Sequence, residues 1–386
     1  MNKRFEGVLH AIEQYSPSTP FWQRNPHEIY VYGTGTMGQD VCKALVGRGL
    51  PMRGYLDHMS QAVSIGGLPV RQPNDEAISN DERERGNVVI AIHNPHADIP
   101  AICSRLRAFG YKHIINPIEL YDYLSLELGI RYWLCKRDFY KSLGPILERT
   151  FQLWADETSQ DVFLATLEHR LTGDYNLLPP VDWEHRYAPA DIPSWNTPAR
   201  LIDCGAYDGD SILDLQKAGI TFEAIAAFEP DAVTFPKLSG LFDSNPGICR
   251  NVTVWPCGVY SSTTQLKFNA NQGENSALSS SGDVTVQCVS IDEALPNFAP
   301  TLIKMDIEAA EYDALIGAQK TIRQYKPGLA ISLYHRPEHL WQIPLLVERL
   351  ANAPSIGGPA SNAMYRYYIR AHMTNGFELV FYAIPA

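Results

Sequence analysis

The chain has little of what marks a secreted, membrane-spanning or nucleic-acid-binding protein. It contains seven cysteines in 386 residues. The number is odd and no pair has C-x-x-C spacing, so neither a disulfide framework nor a zinc ribbon is indicated, and a reducing compartment suits it. No apolar run approaches the roughly 18 residues of a membrane helix, and no apolar h-region follows Met1-Asn2-Lys3-Arg4. Basic residues are outnumbered, 32 against 43 acidic, for a net charge of −11. No lysine and arginine cluster reverses this locally, so nucleic acid and anionic lipid are poor partners. The expectation is a soluble, cytoplasmic protein with no membrane span and no nucleic-acid partner.

What is present begins with an ordinary apolar fraction of 45%, enough for sizeable cores, over a length of two or three domains at roughly 100–200 residues each. One stretch organises the rest. Leu201-Ile202-Asp203-Cys204 is a short apolar run ending in an acid, and Gly205 and Gly209 follow. An apolar-periodic segment with Ile212, Leu213 and Leu215 then starts. This is a buried strand, a tight turn and a helix N-terminus. Twenty positions beyond Gly209, a second apolar run, 224–228, ends in Glu229-Pro230-Asp231. An acid at the tip of the second strand of a βαβ unit can accept hydrogen bonds from both ribose hydroxyls. The unit therefore suits a nucleoside.

The glycine spacing separates the candidate ligands. A dinucleotide site has G-x-G-x-x-G and seats a pyrophosphate on the helix N-terminus. Here the pattern is Asp203-x-Gly205-x-x-x-Gly209, which resembles motif I of the class I methyltransferases. S-adenosylmethionine (SAM) has no phosphate but carries an amino-acid head, whose ammonium group an Asp beside the turn suits. Lys304-x-Asp306-x-Glu308-Ala309-x-Glu311 resembles the K-x-D-x-E-G-x-E signature of FkbM-type methyltransferases. The run from Ile331 to Arg336, containing His335, resembles that family's next strand, and the segment 365–385 with Arg370 and His372 is also similar. The resemblance covers roughly 187–386. Ala309 stands where the family usually has Gly; if that position needs φ > 0, a Cβ there costs about 1 kcal/mol.

The resemblance implies a C-terminal class I methyltransferase Rossmann-like sheet; with the smaller Rossmann-like α/β domain and helical connector that the earlier residues suggest, the expected fold is α/β. It implies a SAM-dependent O-methyltransferase acting on a hydroxyl of a sugar, glycolipid, polysaccharide or other natural product, so the expected partner is a small-molecule or glycan acceptor. The expected SAM-binding residues are Asp203, Gly205, Tyr207, Asp208, Gly209, Ser211, Glu229, Pro230 and Gly258. A hydroxyl must lose its proton as the new bond forms. Asp306, Glu308, Glu311 and His335 are the candidate catalytic groups, with His335 as base and Asp306 as its orienter. Each also has a plainer role. Asp306 can cap the next helix, Glu308 and Glu311 can form an acidic first turn, and His335 can pair with a carboxylate. Three acids and a His can also hold a hard divalent ion, but the spacing is not diagnostic and no metal is assigned.

The remaining chain divides as follows. Residues 1–27 read as a helical strap. Residues 28–118 carry a second Gly turn: strand 29–32, Gly33-Thr34-Gly35-Thr36-Met37-Gly38, a helix, and strand 53–57 ending in Asp57. Formally this meets the dinucleotide fingerprint, and strands at 88–92 and 113–115 flank a helix at 99–109. The span is short for a six-strand dinucleotide fold and resembles the small Rossmann-like domains attached to sugar-modifying enzymes. Three outcomes stay open at Gly33 to Gly38: bound NAD, bound nucleotide or nucleotide-sugar, and a ligand-free structural domain. They lead to the alternative functions, an NAD- or nucleotide-sugar-dependent sugar-modifying enzyme or a non-catalytic nucleotide-binding module. Residues 119–187 read as a helical connector in which Tyr187 is a candidate lid residue. Residues 188–200 with Pro189, Pro193 and Pro198 read as a stiff linker, and 201–386 as the methyltransferase domain. Polar, small-residue loops are expected over 269–282 and 351–362, and a helix over 313–324.

Overall fold

The computed structural model describes residues 2–269, 277–278, 284–353 and 365–386. The expected loops over 269–282 and 351–362 therefore lie, except for Asn269, Ala277–Leu278 and residues 351–353, outside the described residues. The chain forms two compact units. One comprises Met1–Pro145, Phe163–Pro179 and Thr374–Phe377, the other Ile146–Val162, Pro180–Met373 and Glu378–Ala386.

In the first unit the strands are β1 Ile29–Tyr32, β2 Met52–Leu56, β3 Ser64–Ile65, β4 Leu68–Arg71, β5 Asn87–Ile90 and β6 His113–Ile115. They form one sheet in the order β3-β4-β2-β1-β5-β6, parallel except for β3 against β4. Helix Thr36–Gly47 links β1 to β2, and Ile99–Ala108 links β5 to β6. Apolar side chains such as Tyr30, Leu56, Val88, Ile90 and Leu106 form a core on the sheet. Two strands, β3 and β4, were not among those read from the sequence. The addition is a hairpin turning on Gly66 and Gly67, whose φ values of 59° and 82° suit the tight turn that two-residue hairpins favour. The first helix, Lys3–Gln14, is capped by Asn2 and buries Phe5, Val8 and Ile12.

In the second unit the main sheet contains β7 Ala199–Cys204, β8 Phe222–Phe228, β9 Val252–Trp255, β14 Leu302–Met305, β15 Gly328–Ser332, β16 Tyr365–Ala371 and β17 Leu379–Pro385. Its order is β16-β17-β15-β14-β7-β8-β9. Strands β9 to β15 run parallel, and β17 lies antiparallel to both β15 and β16. The two central strands β14 and β15 are buried at every position, as expected of parallel strands covered on both faces. A smaller sheet, in the order β10-β13-β11-β12, joins β10 Gly258–Val259, β11 Thr264–Asn269, β12 Ala277–Leu278 and β13 Val284–Val289. Strands β11 and β13 pair antiparallel. This is the α/β class expected, with the class I methyltransferase sheet.

Two local expectations are corrected. The single helix over 313–324 is two, Glu311–Gly317 and Gln319–Tyr325, which meet at Ala318. At Gly317 the carbonyl of Tyr260 approaches so closely that a Cβ would stand 2.1 Å from it, so the chain needs glycine there and a helix tolerates it poorly. The stretch 188–200 is not a free spacer. Ile192, Trp195 and Ala199 belong to the core of the second unit, and the Trp195 indole donates to the Tyr187 carbonyl at 2.6 Å. Its prolines shape a packed segment.

Candidate active site

The parallel strands of the second unit point their carboxyl ends the same way, so the residues following β7, β8, β14 and β15 gather on one edge. After β7 the backbone turns through Gly205 (φ 75°), Tyr207 (φ 48°) and Gly209 (φ 95°) into helix Asp210–Lys217. Packing demands both glycines. A Cβ on Gly205 would sit 1.9 Å from the Asp306 carbonyl oxygen, and one on Gly209 would sit 2.2 Å from Leu241. Gly258 is tight as well, its Cβ position lying 3.1 Å from the Cys288 sulfur. Ser211 is buried and its hydroxyl donates to Asp210 at 3.3 Å, while Asp208 and Pro230 are half-buried.

Glu229, directly after β8, accepts from the Tyr207 N–H at 3.0 Å and the Asp231 N–H at 2.7 Å. Burial pushes its carboxyl up to about 7, against the pull of those two backbone donors. A buried carboxylate so poised gains from further donors, which two ribose hydroxyls would supply.

Asp203 departs from expectation. It is fully buried and forms an ion pair with Lys304 at 3.1 Å, so it does not stand beside the turn to meet an ammonium group. Burial pushes its carboxyl up, with Lys304 pulling the other way. Lys304 also donates to the Gly205 carbonyl at 2.7 Å. Asp203 thus acts through Lys304 on the shape of the turn.

The structure brings Asp306, Glu308, Glu311 and His335 together. His335 donates from Nδ1 to Glu311 at 2.7 Å, and its Nε2 lies 3.3 Å from Asp306 and 3.5 Å from Glu308. Burial alone would lower the imidazole, but Glu311 and Glu308 outweigh it and hold its pKa well above the ordinary value. One point of the expected assignment changes: Glu311, not Asp306, holds the ring at Nδ1, and the surrounding carboxylates favour the ring's charged form. Burial also disfavours charge on Asp306, yet His335, Lys304 and Arg186 keep its pKa below the usual carboxylate range. Glu308 is raised by burial despite His335. Ligand atoms of Asp306, Glu311 and His335 lie within 4.8 Å of one another, close enough to hold a divalent cation.

The backbone at this cluster is strained. Glu308 has φ 51° and Ala309 φ 82°, so the position where the similar family carries glycine does need the left-handed region here, and Ala309 bears the cost of a Cβ. Tyr187, expected on a lid, is instead fully buried, with φ 66°, and donates to Asp306 at 3.0 Å. Sequence reading missed three partners: Tyr334, whose hydroxyl lies 3.2 Å from Asp306 and 3.2 Å from Glu378; Glu378 itself; and Arg186, 3.7 Å from Glu378 and paired to Asp210 at 2.5 Å. A visible signal existed for Tyr334, which immediately precedes His335 at the end of an apolar run. Glu378 carried none beyond its place before a strand.

In the first unit, Gly33 and Gly38 pack against each other, a Cβ on Gly38 lying 2.0 Å from the Gly33 carbonyl oxygen, while Gly35 has open space. Asp57 accepts from the Thr34 N–H and hydroxyl at 3.0 and 2.7 Å and from the N–H groups of Met59 and Ser60 at 2.8 and 3.0 Å. Its oxygens are already engaged by its own loop.

Among the described residues no helix is long and apolar enough to cross a membrane. No curated protein matches the chain. The crystal structure of Methyltransferase FkbM from Methylobacillus flagellatus KT is similar to it, with TM-score 0.76 and 20% identity over 99% of this chain and 98% of that one. At that identity the likeness speaks for the fold. A family model described as Methyltransferase FkbM domain matches residues 203–370, a span that holds the 205–209 turn, Glu229 and the acidic cluster around His335. Over residues 203–370 this chain is therefore similar to the FkbM methyltransferase domain, and its fold is similar to that of an FkbM methyltransferase.

Proposed function

We propose that the protein is a SAM-dependent O-methyltransferase acting on a hydroxyl of a sugar, glycolipid, polysaccharide or other natural product, in the cytoplasm. The observation that carries this reading is the placement of the 205–209 turn and the proton-poised Glu229 on the same sheet edge as the acidic cluster. One half of that edge suits a nucleoside, and the other suits an acceptor that must lose a proton. When bound, SAM supplies a methyl group on a sulfonium whose departure leaves a neutral thioether. Glu229 and the Tyr207 backbone hold the nucleoside, and Lys304 fixes the turn from beneath. Asp306 and Glu308, the most accessible carboxylates of the cluster, orient the acceptor hydroxyl, and His335 keeps their charges compensated. Binding an acceptor in line contributes the larger part of such a rate enhancement.

The test has two stages. SAM or its demethylated product should raise the Tm, since a ligand that binds only the native state stabilises it. Mass spectrometry of sugar, glycolipid and polysaccharide acceptors incubated with enzyme and SAM should then find a gain of one methyl mass. A protein with no response to millimolar SAM, but with a response to NAD, would overturn the reading.

A further inference from the structure

Glu378 and Tyr334 lie on neighbouring antiparallel strands whose register brings them together. The β15–β17 pairing runs Leu329 with Ala383 through Ser332 with Val380, and the same register places Tyr334 opposite Glu378. The Tyr334 hydroxyl is 3.2 Å from a carboxylate oxygen of Glu378 and 3.2 Å from one of Asp306. A phenol has one proton, so it cannot donate to both carboxylates at once. If both are ionised, one contact sets the phenol oxygen's lone pairs against a carboxylate, a repulsion that Arg186 at 3.7 Å from Glu378 and His335 at 3.3 Å from Asp306 offset only in part. The arrangement is fully satisfied only when a proton is shared along the row from Asp306 through Tyr334 to Glu378. Both ends rest on strained backbone, Glu378 with φ 46° and Tyr187, the other donor to Asp306, with φ 66°. Such conformations persist where the surroundings enforce them. Glu378 and Tyr187 also lie outside the family-matched segment 203–370.

We propose that Glu378 is the final resting place of the proton released by the methyl acceptor, reached from Asp306 through the Tyr334 hydroxyl. The proposal rests on the O-methyltransferase reading. As the acceptor oxygen uses an electron pair to bond the methyl carbon, the carbon–sulfur bond breaks and its pair stays on sulfur. The acceptor O–H bond gives its electrons to the oxygen and its proton to Asp306. Asp306 passes that proton to the Tyr334 oxygen while the Tyr334 proton moves to Glu378. Tyr334 ends neutral, Asp306 ends ionised and Glu378 ends protonated, with no oxidant or reductant. Asp306 is a poor place for the proton to remain, since His335, Lys304 and Arg186 favour its charged form. Glu378 is a better one. Burial and then the charge of Asp306 push it up to about 7, partly offset by Arg186, His335 and Lys304. The hydroxyls of Tyr187, Tyr334 and Tyr382 also face its charge.

The experiment compares the parent with Glu378→Gln and Tyr334→Phe. SAM binding by calorimetry comes first. Retained affinity within about twofold keeps the methyltransferase reading intact, whereas a parent that does not bind SAM fails that reading rather than this one. Infrared titration of the SAM-bound proteins should show, in the parent-minus-Glu378→Gln difference, one carboxyl titrating near pH 7. Under saturating SAM, the parent's turnover of an acceptor identified above should rise with pH through about 7. Both variants should lose that limb and about a hundredfold in rate at pH 8, the scale of lost proton-transfer catalysis. A Glu378→Gln protein that keeps the carboxyl band, or that keeps the pH limb with a rate within threefold of the parent, overturns the proposal. Tyr334→Phe preserves both carboxylates and decides the relay on its own if Glu378→Gln does not fold.

Discussion

The two Gly turns of this chain share one grammar, strand, glycines, helix, strand, acid, and differ in what the acid is doing. In the first unit Asp57 receives four hydrogen bonds from Thr34, Met59 and Ser60. Burial works against its charge, but those donors outweigh it and hold its pKa below the usual range. In the second unit Glu229 receives two backbone donors and stays near 7. The acid of the first turn serves its own loop, while that of the second retains unmet demand for donors. A motif states which residue types are present. Whether a site exists depends on how much hydrogen-bonding capacity the fold has left over.

The largest expected effect sharpens that contrast. Glu229→Ala should abolish the Tm rise produced by SAM, and Asp57→Ala should leave it in place while lowering the Tm of the ligand-free protein. Calorimetric scans with and without SAM read both. Equal loss from the two substitutions would dissolve the distinction between the turns.

Next in size is the removal of the buried imidazole. His335→Ala removes the ring that faces Glu311, Glu308 and Asp306 together and leaves His339, 3.3 Å from Glu311, with Lys304 and Arg186 as the remaining partners; losing one partner of a buried ionic group costs about 3 kcal/mol. Urea unfolding should record that loss, along with a fall in turnover, while SAM affinity in the folded fraction stays close to the parent's. Full stability after the change would mean that the carboxylates are neutral in the fold.

The pH dependence of SAM affinity comes third. Glu229 is an acid raised to about 7, and its ionised form is the one that accepts ribose hydroxyls. Affinity should therefore be level above that pH and weaken about tenfold per unit below it. The ligand-free protein should show the opposite trend, because a raised acid stabilises the fold when protonated and that contribution is lost as pH rises through about 7. Titration calorimetry between pH 5 and 8 tests the first part, and Tm against pH for the parent and Glu229→Gln tests the second.

Two backbone substitutions close the series. Ala309→Gly should stabilise the protein by about 1 kcal/mol, because Ala309 holds φ 82° and a Cβ is unfavourable there. Gly35→Val should change neither Tm nor SAM affinity measurably. Gly35 has φ −66° and open space at its Cβ position. A lost SAM response in a folded Gly35→Val protein would show that the two turns are not independent.

Much of the fold was legible because parallel strands are covered on both faces and so read as unbroken apolar runs. Those ending at Cys204, Phe228, Met305 and Ser332 each stop within a residue or two of a site group. The pair Gly66-Gly67 and the Ser79–Glu82 capping box were readable signals of the hairpin and short helix that went unassigned. Lys304 also stood out as a charge inside an apolar strand, though not as the partner of Asp203, because pairing across strands depends on register and not on spacing along the chain. Glu378 was hidden for the same reason. Its role comes from a strand that returns antiparallel beside β15, and from proximity to Tyr334 some forty positions earlier. The surroundings of His335 were hidden for a different reason. Sequence places acids near a histidine but does not count how many surround it, and here three carboxylates face one ring.

Gly205 abuts the Asp306 carbonyl, and Lys304 grips the Gly205 carbonyl while neutralising Asp203. The two signatures, a hundred residues apart in sequence, are thus a single mechanical joint between adjacent strands. Neither can be grafted alone: moving the glycine turn into another sheet strands a buried acid, and moving the lysine strand strands a buried amine. An evolving lineage would have to change them together, and a designer recombining such domains should place the crossover outside 203–306.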